Sequence, residues 1–403
     1  VPDALLAKAE VLFRARKIAE AMKVYRRVTR LRRPKLAAYA EYMLGWCHLN
    51  LKQHRRALKQ FVGVVRAGKG GRALLAAARS DVVRAYAPLG KPDLAHDFFR
   101  KITRSPQHAK AMYLRLGTLY YAQGKNLDAV RVFKDAWRKR WPRDAQRCQW
   151  VTTLVDATIN LGDKRAQVMA VKWLGEVTRG LTTQLGKKAP AVRQCRSAAE
   201  NTMKMLATQW HHEGLRSHGD TLRLAGRLYE TYLRTYPRSP VYYLMSHQYA
   251  DLRWEVLRRA PHTKPAAWRE VAQLFERIAK LPRPPSLAAR EHARRKRDAA
   301  LAAVRAWMRV TEITDESLKD PKAKRRGRKK VCVKRAGKTG RCTKYGWRYV
   351  QVPISESEQR LLDAFRRYLR LVPRSKHRPL IAFNIGHVLW KHNHFKRAIP
   401  HLS

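Results

Sequence analysis

Five segments of this 403-residue chain repeat one spacing of apolar residues. In each segment a second residue follows the first after twelve positions, and an aromatic residue or Leu follows after four more. The first four segments begin 36, 38 and 34 residues apart. Small residues at the first two positions let two antiparallel helices touch closely, so this period indicates stacked helical hairpins, which hold partners rather than do chemistry. The triplets are Ala9, Ala21 and Tyr25; Gly45, Ala57 and Phe61; Val83, Ala95 and Phe99; Gly117, Ala129 and Phe133; and Gly386, Ala398 and Leu402.

Further residues stand at fixed offsets around these triplets and in two other segments. They are Leu44, Gly45, His48, Ala57, Phe61 and Val64; Leu116, Gly117, Tyr120, Gly124, Ala129, Phe133, Ala136 and Pro142; Tyr229, Tyr232 and Pro237; and Phe365, Tyr368 and Pro373. This pattern closely resembles the tetratricopeptide repeat (TPR). The resemblance implies a right-handed superhelix of about eight or nine helix pairs, whose concave face, lined by first helices, binds peptides or protein surfaces.

The resemblance divides the chain into four parts. We expect an N-terminal TPR array over 2–142, divergent helical repeats over 143–312, a basic insertion with a hairpin over 313–354, and C-terminal TPR repeats over 355–403. The chain stops inside a second helix, which predicts that the array continues in a longer parent protein. The predicted fold class is all-α: a right-handed superhelical TPR-type solenoid of antiparallel helix pairs with one short β-hairpin-like insertion. We expect more than about 60% helix and less than about 10% strand.

The charge of the chain is its second strong feature. Lys and Arg number 87 against 30 Asp and Glu, which gives a formal net charge of +57. Exposed positions that usually pair Glu with Lys are mostly basic here, both on second helices (Arg55, Arg56 and Lys59) and on first helices (Lys110 and Arg115). Such an excess predicts a polyanionic partner or surface. Adaptation or engineering of the surface charge is the alternative.

Two functions fit a basic helical-repeat array. The first is a non-enzymatic protein–protein interaction scaffold that binds acidic proteins or peptides, or an anionic surface, as part of a larger assembly. The second is a nucleic-acid-binding helical-repeat protein, and non-specific binding of nucleic acid is expected from charge alone. A stripe of basic residues along the concave face would favour nucleic acid. Their spread over both helices of each pair favours the scaffold.

Residues 315–353 interrupt the helical pattern. From Pro321 to Tyr349 there are thirteen Lys or Arg residues and no acidic residue. β-Branched and aromatic residues flank a glycine-bearing turn, which predicts a β-hairpin. We expect the basic residues that lead into this hairpin to bind the partner. They are Lys324, Arg325, Arg326, Arg328, Lys329 and Lys330.

The hairpin contains two cysteines that bear on the cellular compartment. If its turn is centred on Gly337, Cys332 faces Cys342, and a cross-strand disulfide is sterically reasonable. Such a bond would imply an oxidising compartment such as the bacterial periplasm; two free thiols are the alternative. The stretch 389–395 before Ala398 also resembles long repeat proteins of bacterial cell envelopes. The periplasm or envelope is therefore favoured over the cytoplasm.

Aromatic residues alternate with basic ones in the second strand of the predicted hairpin. Tyr345, Trp347 and Tyr349 lie on one face of that strand and alternate with Lys344 and Arg348. Such rings can stack on nucleic-acid bases. Packing against the last repeats is the interpretation that we favour.

No pattern in the sequence indicates a catalytic residue, a cofactor or a metal. Gly337-Lys338-Thr339 resembles the end of a phosphate-binding loop, but Cys332 stands where that loop needs a glycine. No serine lies in a Gly-x-Ser-x-Gly elbow. We therefore predict that the protein is not an enzyme. The clustered histidines, interpreted as turn and surface residues rather than metal ligands, are His211, His212 and His218, and His387, His392 and His394.

The remaining cysteines, Cys47, Cys148 and Cys195, stand alone on predicted helices and are interpreted as small buried apolar residues. No C-x-x-C pair exists, which argues against zinc-ribbon and thioredoxin-like sites. With a single bridge in the hairpin, we expect three free thiols. The sequence has no run of 18 apolar residues, so no membrane-spanning segment is expected.

Overall fold

The computed structural model describes residues 2–31, 33–217, 220–260, 263–313, 326–336 and 340–402. In this part of the chain 76% of the residues are helical, and the strands form one two-stranded sheet. The predicted all-α helical-repeat fold is confirmed. The chain divides into two compact units, Val1–Thr202 and Met203–Ser403.

The helices of the first unit follow one another with short connections. Most consecutive helices pack on each other, and alternate helices, such as the first, third and fifth, also lie side by side. This is the packing expected of stacked helical hairpins. The bounds are α1 Pro2–Arg14, α2 Ile18–Thr29, α3 Pro34–Asn50, α4 His54–Ala67, α5 Gly71–Tyr86, α6 Pro92–Thr103, α7 Pro106–Ala122, α8 Asn126–Asp135, continued by a π-helical turn Ala136–Arg140, α9 Arg147–Asn160, α10 Lys164–Leu185 and α11 Pro190–Arg216, within which the unit ends.

The glycines of the triplets lie where the two helices of a pair come closest. A Cβ atom at Gly45 of α3 would be 2.4 Å from the ring of Phe61 in α4. Gly45 precedes the end of α3 by five residues and Phe61 follows the start of α4 by seven, so this contact requires the two helices to run antiparallel. Only glycine permits this approach, since any side chain would collide with the ring.

The same contact recurs in two other pairs. A Cβ atom at Gly117 would lie 2.9 Å from Cζ of Phe133, and one at Gly386 would lie 2.6 Å from Cδ2 of Leu402. The large residue of each triplet thus fills the groove beside the first glycine. The second small positions are all buried: Ala57, Ala129 and Ala398.

Tryptophans pack around the loop that follows the fourth helix pair. The rings of Trp141 and Trp150 are 6.0 Å apart, and the ammonium group of Lys110 lies 5.5 and 5.4 Å from their centroids. Lys110 also forms an ion pair with Asp144. From the sequence, Lys110 was expected to be one of the exposed basic residues. In the structure it is half-buried and paired, because the packed indoles draw its side chain inward.

The second unit continues with helix pairs, and the hairpin lies between its fourth and fifth complete helices. The bounds are α12 Thr221–Thr235, α13 Tyr242–Arg259, a 3₁₀ turn Pro265–Ala267, α14 Trp268–Lys280, α15 Ala289–Thr311, β1 Arg328–Arg335, β2 Cys342–Tyr349, α16 Glu356–Leu371, α17 Arg378–Lys391 and α18 Phe395–Leu402. Consecutive helices again pack on each other. None of the helices in the described residues is both long and apolar enough to cross a membrane.

Candidate functional site: the basic hairpin and its anchor

The basic insertion forms an antiparallel hairpin whose register differs from the predicted one. Arg328 pairs with Tyr349, and Cys332 pairs with Tyr345 rather than with Cys342. The prediction of a turn centred on Gly337, which itself lies outside the described residues, was therefore wrong in register. The pairing is irregular between Cys332 and Arg335, and such bulges are not readable from residue types.

A disulfide nevertheless joins Cys332 and Cys342, whose Cα atoms are 5.7 Å apart. A two-stranded hairpin is at most marginally stable alone in water. A covalent link between its strands restricts the unfolded chain and so favours the folded hairpin. The basic residues therefore lie on a hairpin, called the ribbon below, whose two strands are linked covalently.

A second disulfide, between Cys148 of α9 and Cys195 of α11, was not foreseen. The interpretation of both residues as lone buried cysteines was wrong. They are separated by 47 positions in the sequence, and no local motif marks them as a pair, because helix packing alone brings them together. Cys47 is buried and is the one free cysteine among the described residues.

One face of the hairpin holds basic side chains over aromatic rings. The guanidinium carbon of Arg328 is 3.9 Å from the ring centroid of Trp347, and the ammonium nitrogen of Lys330 is 4.4 Å from that of Tyr345. These are diagonal neighbours across the two strands, a geometry in which long and aromatic side chains meet. The attraction of a cation to the ring face stabilises each pair.

The two rings remain largely open to solvent. Trp347 is 56% exposed and Tyr345 is 57% exposed. The expectation that they pack against the last repeats was wrong for Tyr345 and Trp347, because both rings are exposed and each lies beside a cation of the opposite strand. Tyr349, at the base of the ribbon, is half-buried.

The predicted contact residues fall into three groups. Lys324 and Arg325 lie outside the described residues. Arg328, Lys329 and Lys330 are exposed on the hairpin. Arg326 instead contributes to the anchor of the hairpin, which ties the base of the ribbon to the turn between α17 and α18.

Backbone and charge hold Arg326 in this anchor. Its N–H donates to the carbonyl oxygen of Lys391 at 3.0 Å, and its guanidinium group is 3.5 Å from Oε2 of Glu358 in α16. The base of the ribbon is thus tied to α16 and to the end of α17 by one residue. Opposite it, the N–H of Val350 donates to the carbonyl oxygen of Gly327 at 3.1 Å.

Asn393 is the second element of the anchor. Its φ of +63° is in the left-handed region, which Asn tolerates better than most residues. Its side-chain Nδ2 donates to the carbonyl oxygen of Arg326 at 2.8 Å and to that of Val350 at 2.7 Å. The turn residue therefore bonds both strands where they leave the helical array.

The sequence interpretation of His392 as a turn residue is confirmed, but its interpretation as a surface residue was wrong. His392 is fully buried and its Nε2 donates to Oε2 of Glu358 at 3.0 Å. His211 was also misplaced: it is buried with its ring edge-on to Tyr229. Burial, reinforced by neighbouring His212, lowers the pKa of His211 to about 4. His211 is therefore neutral at pH 7.

Glu358 is the hub of the anchor, and the sequence analysis missed it. Burial raises its pKa, but the hydrogen bonds from Ser355 and His392 and the charge of Arg326 outweigh this, so the pKa lies below its usual value. Ser355 and Glu358 also form a capping box at the start of α16. A Ser-x-x-Glu motif before an apolar helix predicts a capping box. The interaction of Glu358 with Ser355 could therefore have been predicted from the sequence, whereas its contacts with His392 and Arg326 could not.

The described residues contain no group of three or more His, Cys, Asp or Glu side chains arranged to hold a metal ion. Gly337-Lys338-Thr339 and His218 lie outside them. The hairpin offers a positively charged and partly aromatic surface that is bonded to the helices at its base.

No family model matches the chain, and no curated protein matches it. Solved structures with which it aligns include a Naa15/Naa10 complex bound to HypK-THB, at 12% identity and a TM-score of 0.28, over 100% of this chain and 63% of that chain. The chain thus spans less than two thirds of that structure. The TPR domain of P58(IPK) aligns at 12% identity and a TM-score of 0.22, over 94% of this chain and 99% of that one.

A circular tandem repeat protein with a novel repeat topology aligns at 13% identity and a TM-score of 0.18, over 100% of this chain and 87% of that one. The description of this chain as a TPR-like array of helix pairs rests on its own geometry. The close contacts of Gly45 with Phe61, Gly117 with Phe133, and Gly386 with Leu402 carry it.

Proposed function

We propose that this protein is a non-enzymatic scaffold that binds an acidic protein partner, with the basic hairpin as its principal contact. The observation that carries the proposal is the exposed face on which Arg328 covers Trp347 and Lys330 covers Tyr345. Trp, Tyr and Arg are the residues that dominate the energetics of protein interfaces. The anchor at Glu358 reduces the ordering that binding would require.

Charge decides the chemistry of the partner. The described residues 326–336 carry six Lys or Arg and residues 340–352 carry three, with no acidic residue in either. A surface of one sign selects a partner of the other sign and speeds the encounter. An acidic protein surface supplies carboxylates for the cations and apolar groups for the exposed rings.

Nucleic acid is the competing ligand. The cations of Arg328 and Lys330 lie over one face of Trp347 and Tyr345, so a base that stacks on either ring uses the opposite face. Binding that depends on phosphate charge alone weakens steeply as the salt concentration rises, and a salt series therefore separates the two ligands.

The two disulfides support residence in an oxidising compartment, because such bonds persist mainly there. A periplasmic or cell-envelope location fits this chemistry and belongs to the proposal.

The test compares labelled polyglutamate with a labelled single-stranded oligonucleotide as probes for the full chain, across a salt series. The hairpin variant R328Q/K329Q/K330Q is matched by R55Q/R56Q/K59Q, which removes the same charge from exposed positions of α4. We expect the hairpin variant to bind polyglutamate about tenfold more weakly and the α4 variant to bind it almost normally, since each exposed pair contributes up to about 1 kcal/mol.

Equal losses in the two variants would show that the attraction is diffuse and would overturn the role of the hairpin. Tighter binding of the oligonucleotide than of polyglutamate at about 150 mM salt would overturn the acidic-protein partner in favour of nucleic acid.

A further inference from the structure

The outer side of β1 carries no other strand of the described residues. In that part of the chain β1 pairs only with β2, in a two-stranded sheet. Arg328, Lys329 and Lys330 are exposed, so this stretch of the strand is open to solvent. An open edge presents backbone N–H and C=O groups that can pair with a strand of another chain.

One hydrogen bond at the base of the ribbon shows which backbone groups point outward. The N–H of Val350 donates to the carbonyl oxygen of Gly327 at 3.1 Å, so these two residues form a hydrogen-bonded pair. In an antiparallel ladder, pairs with hydrogen bonds alternate with pairs without them. In the observed register the backbone groups of Arg328, Lys330 and Cys332 therefore point away from β2.

These outward groups have no partner in the part of the chain that the structure describes. The backbone N–H and C=O groups of Arg328, Lys330 and Cys332 form no hydrogen bond with another element there. Just before the strand, by contrast, the N–H of Arg326 donates to the carbonyl oxygen of Lys391. The usable edge runs from Arg328 to Cys332, because the ladder becomes irregular after Cys332. This length is close to that of a usual strand.

Charge decides what can pair with this edge. β1 carries five Lys or Arg residues and no acidic residue, whereas β2 carries only two, Lys344 and Arg348. Side chains of neighbouring strands that lie on the same face interact, favourably if their charges are opposite and unfavourably if they are alike. A second copy of the ribbon would bring cations beside cations, which protects an edge against its own kind. An acidic strand is the occupant that matches β1.

The two faces of β1 differ, and this difference gives the partner strand a pattern. Arg328 and Lys330 lie on the face that carries the aromatic rings. Val331 points to the opposite face, where Val333 covers Gly346: a Cβ atom at Gly346 would lie 2.5 Å from Cγ2 of Val333. Carboxylates on one side of a strand and aliphatic residues on the other, in alternation, therefore complement β1.

We infer that an extended acidic segment of the protein partner adds to β1 as a third strand. Its backbone pairs with the outward groups of Arg328, Lys330 and Cys332, and its carboxylates lie beside Arg328 and Lys330. The inference rests on the proposed scaffold function and deepens it, since it names the form in which the partner meets the ribbon. Backbone pairing supplies affinity, and the alternating side chains supply selection.

The first experiment uses the full chain at about 150 mM salt and a labelled peptide in which four Glu alternate with three Val. Two modified peptides carry N-methyl groups on the backbone, one at two of the Glu residues and the other at two of the Val residues. Only every second N–H of an added strand faces β1, and a slip by one residue would move Val beside the cations. One modified peptide therefore loses two hydrogen bonds to β1 and the other loses none.

We expect the two modified peptides to differ about tenfold in affinity, with the better one close to the unmodified peptide. The two have the same charge, composition and number of methyl groups, so diffuse attraction predicts no difference between them. Equal affinities overturn the third strand. So does a failure of the unmodified peptide to bind under conditions in which polyglutamate binds.

A substitution in β1 tests the same edge from the protein side. Lys330→Pro removes an outward N–H and leaves the bonds to β2 in place, and proline is tolerated where the N–H of an edge strand faces solvent. Lys330→Gln is the matched control, because it removes the same charge but keeps the N–H. We expect Lys330→Pro to bind the unmodified peptide about fivefold more weakly than Lys330→Gln.

Equal binding by these two variants, with the ribbon shown by amide exchange to be folded in both, overturns the third strand. Should Lys330→Pro unfold the ribbon, the modified peptides decide the matter on the wild-type chain. Dimerisation of the wild-type chain that Lys330→Pro abolishes and Lys330→Gln does not would assign the edge to a second copy and overturn the acidic strand.

The hairpin variant R328Q/K329Q/K330Q separates this inference from the scaffold proposal. If it weakens polyglutamate binding while the two modified peptides bind the wild-type chain equally, the third strand alone is overturned. If it binds polyglutamate and the unmodified peptide as tightly as the wild-type chain does, the role of the ribbon and the third strand are overturned together.

Discussion

Nε2 of His392 donates a hydrogen bond to Oε2 of Glu358 over 3.0 Å, and both side chains are almost completely buried. The same oxygen accepts from Oγ of Ser355 at 2.6 Å and lies 3.5 Å from the guanidinium of Arg326. One carboxylate thereby joins the start of α16, the turn after α17 and the base of the hairpin. The base of the basic ribbon is therefore held both by α16 and by the turn after α17.

Glu358→Gln should loosen the hairpin more than it disturbs the helices. Gln keeps the size of the side chain but removes the charge that Arg326 and His392 face, and the loss of such an interaction costs about 1–3 kcal/mol. We expect faster amide hydrogen exchange at Val350 and Val352. Asp363→Asn is the matched control, because this carboxylate lies on α16 and is exposed. Equal exchange in both variants would contradict the role of Glu358.

The same carboxylate predicts a pH dependence. The hydrogen bonds from Ser355 and His392 outweigh burial, so the pKa of Glu358 in the folded protein is below that in the unfolded chain, about 4.3. Its contribution to stability is therefore complete above that unfolded value and is lost as the pH falls through the folded pKa. Unfolding by urea between pH 7 and pH 3 should show wild type and Glu358→Gln converging at the acidic end. A constant difference in unfolding free energy would contradict this.

Thiol counting distinguishes the sequence-based expectation from the structure. Titration of the denatured, unreduced protein should find one free thiol, that of Cys47, since the other four cysteines are paired. Burial raises the pKa of Cys47 to about 11, so in the native state this thiol should react slowly. A count of three free thiols would contradict one of the two disulfides. A count of five would contradict both, and with them the argument for an oxidising compartment.

Replacing two glycines of one helix pair by alanine should change the unfolding free energy in opposite directions. Gly45→Ala forces a methyl group against Phe61 and should lower the unfolding free energy by about 1–3 kcal/mol. Gly63, in α4 of the same pair, has no atom within 4 Å of the place where Cβ would lie, so Gly63→Ala should raise it by about 0.5–1 kcal/mol. Similar effects in the two variants would show that Gly45 is not a close-contact position.

The helix pairs could be predicted from sequence because their signals are local. The spacing of Gly45, Ala57 and Phe61 predicts that α3 and α4 touch, and the contact between Gly45 and Phe61 forms within that one helix pair. The hairpin register failed because an irregularity after Cys332 has no signature in residue types. The pairing of Cys148 with Cys195 and of Glu358 with His392 depends on which helices lie side by side. A spacing rule within one repeat does not carry that information.

Asn393 allows the conformational and bonding parts of the anchor to be measured separately. Asn393→Gly keeps the left-handed turn, whose φ is +63°, but removes the donors to Arg326 and Val350. This change should cost about 1–3 kcal/mol in the stability of the hairpin, read from amide exchange of the strands. Asn393→Ala loses the same bonds and adds the strain of a left-handed Ala, a further cost of about 1–2 kcal/mol.

Both Asn393 variants keep every charge of the hairpin, so they test whether its placement matters. If an anchored ribbon binds the acidic partner, Asn393→Gly should weaken polyglutamate binding several-fold, because the freed ribbon must be ordered again on binding. The salt dependence should stay as in the wild type, since the number of cations is unchanged. Unaltered affinity with a demonstrably loosened hairpin would mean that charge alone drives binding and that the anchor serves only stability.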